Sequence, residues 1–461
     1  MPQPERLPLL EARLRQGGPQ PASALAAALG VSQPTLSRAL RPALADGRIA
    51  RIGRARATRY ALTRPVAALG RHWPLYRLDA QARPERLGEL HALHGDAMWL
   101  APDRPLPALM HEDARNGLYP GLPWFLDDQR PQGFLGRAFA RRVAADIGAP
   151  ADLTVWRPDD YLAALLRFGE DAPGDLILGD AALERALGES LSPSDALTPD
   201  ERPERYPALA LASLSGEEIG SSAGGEQPKF TAILREADGH RPVIVKFNEA
   251  ADTPSARRWA DLLRTEHLAG EILRRHGLAA ARTGLFKAAG RVFLESTRFD
   301  RTPVLGRRGL VSLGALDAAF YGHGRIDWPR FAPALVEDGW LTPADGERLA
   351  LYGWFGTLIG NNDMHLGNAA LILADQRPLA LAPCYDMLPM RFRPNPQGEV
   401  VPRDYEITPP LPTQLGAWRQ AARMARDFWR AVENEAAVSD GFKPIARQAL
   451  ATLEAALRRF G

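Results

Sequence analysis

One cysteine, Cys384, occurs in 461 residues, which excludes an intramolecular disulfide and any cysteine-rich metal site. Placed directly before Tyr385, it reads as a small buried apolar residue. Apolar runs are short. None approaches the roughly 20 residues that span a bilayer, and the opening, with Glu5 among prolines, has neither the basic start nor the apolar stretch of a secretory signal. A cytoplasmic location without a membrane partner is therefore expected. Lysine is nearly absent as well. Lys229, Lys246, Lys287 and Lys443 stand among 57 basic residues, so each suggests a place where a compact ammonium suits better than the arginine fork. What remains is ordinary for a globular protein: 45% hydrophobic and 24% charged residues, in a length that suits two or three domains.

Charge is divided unevenly. Residues 1–70 hold eleven arginines against Glu5, Glu11 and Asp46, a local balance of +8, so the rest of the chain carries −6 to reach the overall +2. Within this basic stretch Leu9 to Leu14 and Ala22 to Leu29 read as helices. Ser32 is a good N-cap for a third, with Leu36, Ala39 and Leu40 inward and Gln33, Pro34, Ser37, Arg38 and Arg41 outward. Pro42 sets its expected end, and Gly30 permits the turn between the second and third helices. Residues 48–52 and 58–62 then read as a hairpin whose loop carries Gly53, Arg54 and Arg56, resembling the wing of winged helix-turn-helix proteins. On this reading Gln33, Ser37, Arg38 and Arg41 enter a major groove of DNA, while Arg51, Arg54, Arg56 and Arg59 meet phosphates or the minor groove. The bland alternative is a solvated basic hairpin beside a small helical interaction domain.

From Pro65 to about Pro207 apolar stretches alternate with proline and charge, and no catalytic constellation stands out. His91 and His94 could share a helical face, but no third ligand accompanies them, so two surface histidines are expected rather than a metal site. Residues 135–143 read as an amphipathic helix, and Trp124 and Phe125 as core.

The chemistry lies further on. In IGNNDMHLGNAALIL, Asp363 precedes Asn368 by five positions, and APCYDML carries Asp386. Phosphoryl transfer needs a carboxylate to receive a hydroxyl proton and hard oxygen ligands for magnesium, and these three residues could supply that set. The Asp-to-Asn spacing equals that of the protein-kinase catalytic loop, with residues 369–373 reading as a strand after it. Upstream, SGEEIGSSAGGEQPKF is a Gly/Ser-rich connection whose Gly224 and Gly225 let backbone N–H groups approach phosphates. TAILRE and PVIVKFN read as strands, the second ending on Lys246, whose burial in an apolar strand is costly unless it meets an anion. An ATP phosphate would be that anion. RTEHLAGEILRRHGL is a helix offering Glu266, or alternatively Glu271, to orient Lys246. Two more strands lead to ESTRFDR, a hinge where backbone groups would meet adenine with Phe299 packed nearby. Helices follow at residues 313–320, 331–337, 343–359, 415–433 and 443–460.

Together SSAGGEQPK, VKFN, TEHLAGEIL, RFDR, NNDMHLGN and YDML resemble the HipA family of serine/threonine kinases, known as bacterial toxin–antitoxin toxins. The resemblance implies that Lys246 binds phosphates, Asp363 is the catalytic base, and Asn368 with Asp386 binds Mg2+. It also implies that His365 braces the catalytic loop, and that Gln227 and Lys229 keep the glycine-rich loop's spacing. Family members phosphorylate aminoacyl-tRNA synthetases and some autophosphorylate a loop serine, here Ser222 or Ser221, with Ser215 a poorer candidate. Glu226 stands where a small residue is usual, and Thr297 where an acidic hinge residue is common. A helix-turn-helix fused to the kinase is a further departure, since the family's kinases usually rely on a separate DNA-binding antitoxin. The expected fold is α+β: a winged helix-turn-helix domain (1–64), a HipA-like N-terminal subdomain (65–207), a kinase N-lobe (208–300) and a helical C-lobe (301–461). The expected activity is ATP- and Mg2+-dependent phosphorylation of a protein. A nucleotide-sensing regulator and a small-molecule kinase stay open on sequence grounds, as does the oligomeric state.

Overall fold

The structure, a computed structural model, describes residues 3–111, 114–193, 195–214 and 227–460. Its first unit runs α1 (Gln3–Gly17), β1 (Gln20–Pro21), α2 (Ala22–Leu29), α3 (Gln33–Ala45), β2 (Ile49–Ile52) and β3 (Arg59–Leu62), with the strands ordered β1–β3–β2. Leu10, Leu14, Leu25, Leu36, Leu40, Ile49 and Leu62 form its core. Gly30, at φ +62°, ends α2 in the left-handed conformation that glycine adopts without strain. The stop expected at Arg41 is corrected: α3 continues through Pro42 to Ala45. Ala43 is fully buried in the core, and that packing outweighs the hydrogen bond a proline cannot make. Ser32 precedes the helix as expected, but its hydroxyl lies 3.0 Å from the Thr35 hydroxyl rather than capping a backbone N–H.

The opposite face of the β2–β3 hairpin is covered. Ala50, Ile52 and Ala61 pack with Leu93, Ala97, Trp99 and Leu118 of the next unit. The connection is bonded too, since the Arg64 N–H donates to the Ala92 carbonyl (2.9 Å) and the His94 N–H to the Leu62 carbonyl (3.0 Å).

That next unit is a five-stranded antiparallel sheet of β4 (His72–Leu78), β5 (Pro84–Ala92), β6 (Met98–Pro102), β7 (Leu118–Tyr119) and β8 (Leu176–Leu178), ordered β7–β6–β5–β4–β8. With it come the one-turn α4 (Ala108–His111), then α5 (Gly133–Ile147), α6 (Pro158–Phe168), α7 (Asp180–Leu191) and α8 (Arg202–Leu214). Trp124 and Phe125 lie on a 3-10 turn, Trp124–Gln129, and pack inward as expected. The histidines depart from the helical expectation. His91 lies on β5, mostly covered between the rings of His72 (5.0 Å) and Trp99 (4.7 Å), and His94 lies in the turn after it. Burial pushes the His91 imidazole down to about 4. No group of three or more His, Cys, Asp or Glu side chains placed to hold a metal ion occurs among the described residues.

The remaining unit begins with β9 (Lys229–Glu236), β10 (Gly239–Phe247), α9 (Pro254–Arg275), β11 (Thr283–Ala288) and β12 (Arg291–Thr297), the strands ordered β11–β12–β10–β9. Helices then dominate: β13 (Val311–Ser312), α10 (Leu313–Leu316), α11 (Trp328–Glu337), α12 (Pro343–Leu358), β14 (Ala370–Ile372), β15 (Ala380–Leu381), α13 (Leu415–Asn434) and α14 (Lys443–Phe460). Thr253 and Thr342 cap α9 and α12, each followed by a proline at the first helical position. Trp418, Phe428 and Trp429 of α13 are fully buried in the largest core. Helix α9 is fastened to the segments around these C-terminal helices: the Asp261 carboxylate accepts from the N–H (2.9 Å) and hydroxyl (2.5 Å) of Ser439, between α13 and α14, and Arg258 donates to the Phe392 carbonyl (2.8 Å), ahead of α13. Among the described residues no helix is long and apolar enough to cross a membrane.

Candidate active site

Strand β10 lies between β9 and β12, so Lys246 faces Lys229 on one side and Leu294 on the other. Its side chain is 7% exposed, and its Nζ donates to both carboxylate oxygens of Glu266 on α9, at 2.6 and 2.8 Å. It also donates to Asp386 Oδ1. Burial opposes the ammonium charge, but the two carboxylates outweigh it and hold the lysine above its ordinary range. Burial likewise opposes the Asp386 charge, and Lys246 with Lys229 pulls that carboxyl down to about 2. Glu266 carries the cost of the crowding: burial, together with Asp386, pushes it up against the pull of Lys246. The competing Glu271 is occupied elsewhere, paired with Arg274 at 2.5 Å.

The loop after α12 is tied to the Asp386 segment. Buried Asn361 accepts from the Asp363 N–H (3.0 Å) and donates from Nδ2 to the Asp386 carbonyl (3.4 Å). Asn368 Nδ2 donates to the Asp363 carbonyl (2.8 Å), and the Gly367 N–H donates to His365 Nδ1 (3.1 Å). The Tyr385 hydroxyl donates to the Gly367 carbonyl (2.9 Å), and the Tyr385 ring lies 5.5 Å from that of Phe299, just after β12. Asp386 itself adopts φ +55°, an uncommon conformation for a non-glycine residue, of the kind retained where a side chain must be aimed. Asp363 and His365 are exposed. The donor chemistry of Asp386 and Asn368, both hard oxygens, suits magnesium.

Residues 69–187 match the YjjJ-like toxin middle domain, and residues 221–457 the HipA-like C-terminal domain. The chain is 35% identical over 432 residues to the toxin YjjJ of Escherichia coli strain K12, covering 94% of each chain. It belongs to the HipA-like toxin family. Among solved structures, the HipA toxin of Shewanella oneidensis MR-1, determined with HipB and its operator DNA, aligns at a TM-score of 0.52 with 15% identity, covering 84% of this chain and 97% of that one. The Helicobacter pylori proinflammatory kinase CtkA aligns at a TM-score of 0.35. The expected HipA-like architecture is thus the observed one.

In this HipA-like chain Lys229, Lys246, Glu266, Phe299, Asp363, His365, Asn368 and Asp386 come from separate segments into one connected region. Ser215, Ser221, Ser222, Gly224, Gly225 and Glu226 lie outside the described residues. In the N-terminal unit Gln33, Ser37, Arg38 and Arg41 on α3 and Arg51, Arg54 and Arg59 of the hairpin are exposed, and Arg56 lies on the turn between the strands.

Two contributions escaped sequence reasoning. Asn361 links the loop bearing Asp363 to the Asp386 segment, and its only signal was a second Asn two places before Asp363. The charges of RFDR serve architecture: Asp300 pairs with Arg298 (2.9 Å) and Arg301 (2.6 Å), and Arg301 reaches Asp171 of the middle unit (3.2 Å). Burial opposes the Asp300 charge, and these arginines hold its carboxyl well below the usual range. No local pattern could reveal a partner some 130 positions away.

Proposed function

We propose that this HipA-like toxin is an ATP- and Mg2+-dependent serine/threonine protein kinase that acts on a translation component such as an aminoacyl-tRNA synthetase. The observation that carries the reading is Lys246 held between Glu266 and Asp386, next to the loop bearing Asp363 and Asn368. In this reading Lys246, kept charged by its two carboxylates, aligns the α- and β-phosphates, with Lys229 and the glycine-rich loop adding contacts. Asp363, exposed toward an incoming hydroxyl, orients it and takes its proton. Asn361 and His365 keep the loop from shifting during that step. Asn368 and Asp386 would hold Mg2+, which when bound neutralises charge on the phosphates. Phe299 packs beside the adenine position. Ser221 or Ser222 would be the site of self-phosphorylation.

The N-terminal unit is proposed to bind DNA through α3 and the hairpin, supported by the element order, the +8 charge of its region and the exposure of its arginines. An antitoxin partner and a cytoplasmic location accompany the toxin–antitoxin reading.

The test is incubation of the purified chain with radiolabelled ATP and Mg2+, with and without bacterial lysate, comparing wild type with Asp363→Asn. Label should appear on a lysate protein or on the chain itself and fall by at least about 100-fold in the variant, while ATP binding persists. ATP binding without label on any acceptor would overturn the kinase reading in favour of a nucleotide sensor.

A further inference from the structure

The 3-10 turn that carries Trp124 belongs to the middle unit, yet it reaches the kinase-like body. Trp124 packs edge-on against Phe320 (5.4 Å) and Trp340 (5.8 Å), and Gln129 at its end donates to the Leu176 carbonyl (2.6 Å). Between them Asp128 holds both polar groups of one residue: its Oδ2 accepts from the Ser312 N–H and its Oδ1 from the Ser312 hydroxyl, each at 2.6 Å. Ser312 is paired with the strand that follows the loop bearing Asp363 and Asn368. Its hydroxyl caps α10 by accepting from the Ala315 N–H (3.0 Å), it pairs with Ala370 across β13–β14, and the Leu313 N–H after it donates to the Ala369 carbonyl (2.8 Å). A Cβ added to Gly314 would stand 3.5 Å from the Gly367 nitrogen, so the start of α10 lies directly under residues 366–367. From the other side Tyr385 grips the Gly367 carbonyl. Burial raises the Asp128 carboxyl against the pull of the Ser312 donors, a cost the fold bears at this position.

We propose that Asp128, supplied by the middle unit, is a positioning residue for the loop bearing Asp363 and Asn368, acting through Ser312 and the β13–β14 pairing. The inference rests on the kinase reading for its consequence in catalysis, and on geometry alone for its mechanical part. It makes the middle unit a component of the active site without contacting substrate. Asp128→Asn is the informative change, because an amide of the same shape carries no charge and has one acceptor oxygen for the two Ser312 donors: with that oxygen on the Ser312 N–H, the amide N–H faces the Ser312 hydroxyl, which must turn from donor to acceptor.

Two measurements on the full chain test it. Hydrogen exchange followed by mass spectrometry should show faster exchange in Asp128→Asn for peptides covering 311–316 and 363–371, with those from α13 unchanged. Label transfer from ATP, in the assay above, should fall about 10- to 100-fold in kcat, the loss expected from misplacing a catalytic group by about 1 Å, with KM for ATP within about twofold of wild type. Ser312→Ala should produce a similar loss, and the double variant no more than the larger single one. Unchanged exchange at 363–371, or a fall in ATP affinity matching the fall in rate, would overturn the proposal. Faster exchange in a protein whose wild type transfers no label would uphold the bracing and overturn the kinase reading instead.

Discussion

Replacing Lys246 by Met tests the charge arrangement at the centre of the site. The substitution keeps the apolar stem and removes the cation that Glu266 and Asp386 share. At 2.6 Å and an effective dielectric constant of about 20, the Lys246–Glu266 contact is worth about 6 kcal/mol of gross attraction. Most of that offsets desolvation, and breaking one partner out of a buried pair costs about 3–5 kcal/mol because the remaining charge is stranded. Here two carboxylates are stranded together. Urea unfolding at pH 7.5, followed by tryptophan fluorescence, should therefore show Lys246→Met less stable by about 3–5 kcal/mol. Adding Asp386→Asn removes one of the opposed charges, so the double variant should recover about 1–3 kcal/mol of that loss. Lowering the pH to 5 should narrow the deficit of the single variant, since carboxylates without a cation protonate more readily. A single variant as stable as wild type, or a double variant no more stable than the single, would refute the reasoning.

Two further outcomes follow from other parts of the molecule. If the hairpin arginines meet DNA phosphates, replacing Arg54 and Arg59 by Gln should make the log–log salt dependence of duplex binding shallower by about 0.9 for each phosphate no longer neutralised, measured by fluorescence anisotropy; an unchanged slope would remove them from the interface. Asp175 has a buried Oδ1 without a hydrogen-bond partner among the described residues, and burial, opposed by Arg77, pushes its carboxyl from 3.8 up to about 6. The native state then binds this proton more tightly than the unfolded chain, so the stabilisation is present below pH 4 and lost as pH rises through 6, by about 3 kcal/mol at most. Asp175→Asn should flatten that part of the stability–pH curve, and parallel urea-midpoint curves for variant and wild type would contradict the assignment.

The HipA-like C-terminal half was legible because its signals are local. A lysine in an apolar strand, a helix with an acid on its inner face, and an Asp–Asn pair after a long helix each announce themselves within a dozen residues, although that inner helix begins at Pro254, ten residues before the stretch read as helical. The choice between Glu266 and Glu271 needed the structure, since both lie on α9 and only one turns toward β10. The middle sheet was illegible for a physical reason. In β4 the alternation of Trp73 and Leu75 breaks at a register shift between Leu75 and Tyr76, and prolines interrupt or open the strands, so no period-2 pattern survives. Pro42 misled in the opposite direction, because a helix pinned by Leu36, Leu40 and Ala43 tolerates a residue that would end it in isolation.

The covered back of the β2–β3 hairpin has a kinetic meaning. With Ile52 and Ala61 against Trp99 and Leu118, and the connection itself hydrogen bonded, the N-terminal unit has no tether on which to swing. A fluorophore on α3 would report the slow tumbling of the entire 461-residue particle rather than the fast wobble of a linked module. If this unit binds nucleic acid as proposed, that ligand would meet the rest of the chain at one angle and one reach, set by packing rather than by linker statistics. The same packing makes the unit hard to cut away cleanly, since truncation would leave Leu93, Trp99 and Leu118 as a new sticky surface.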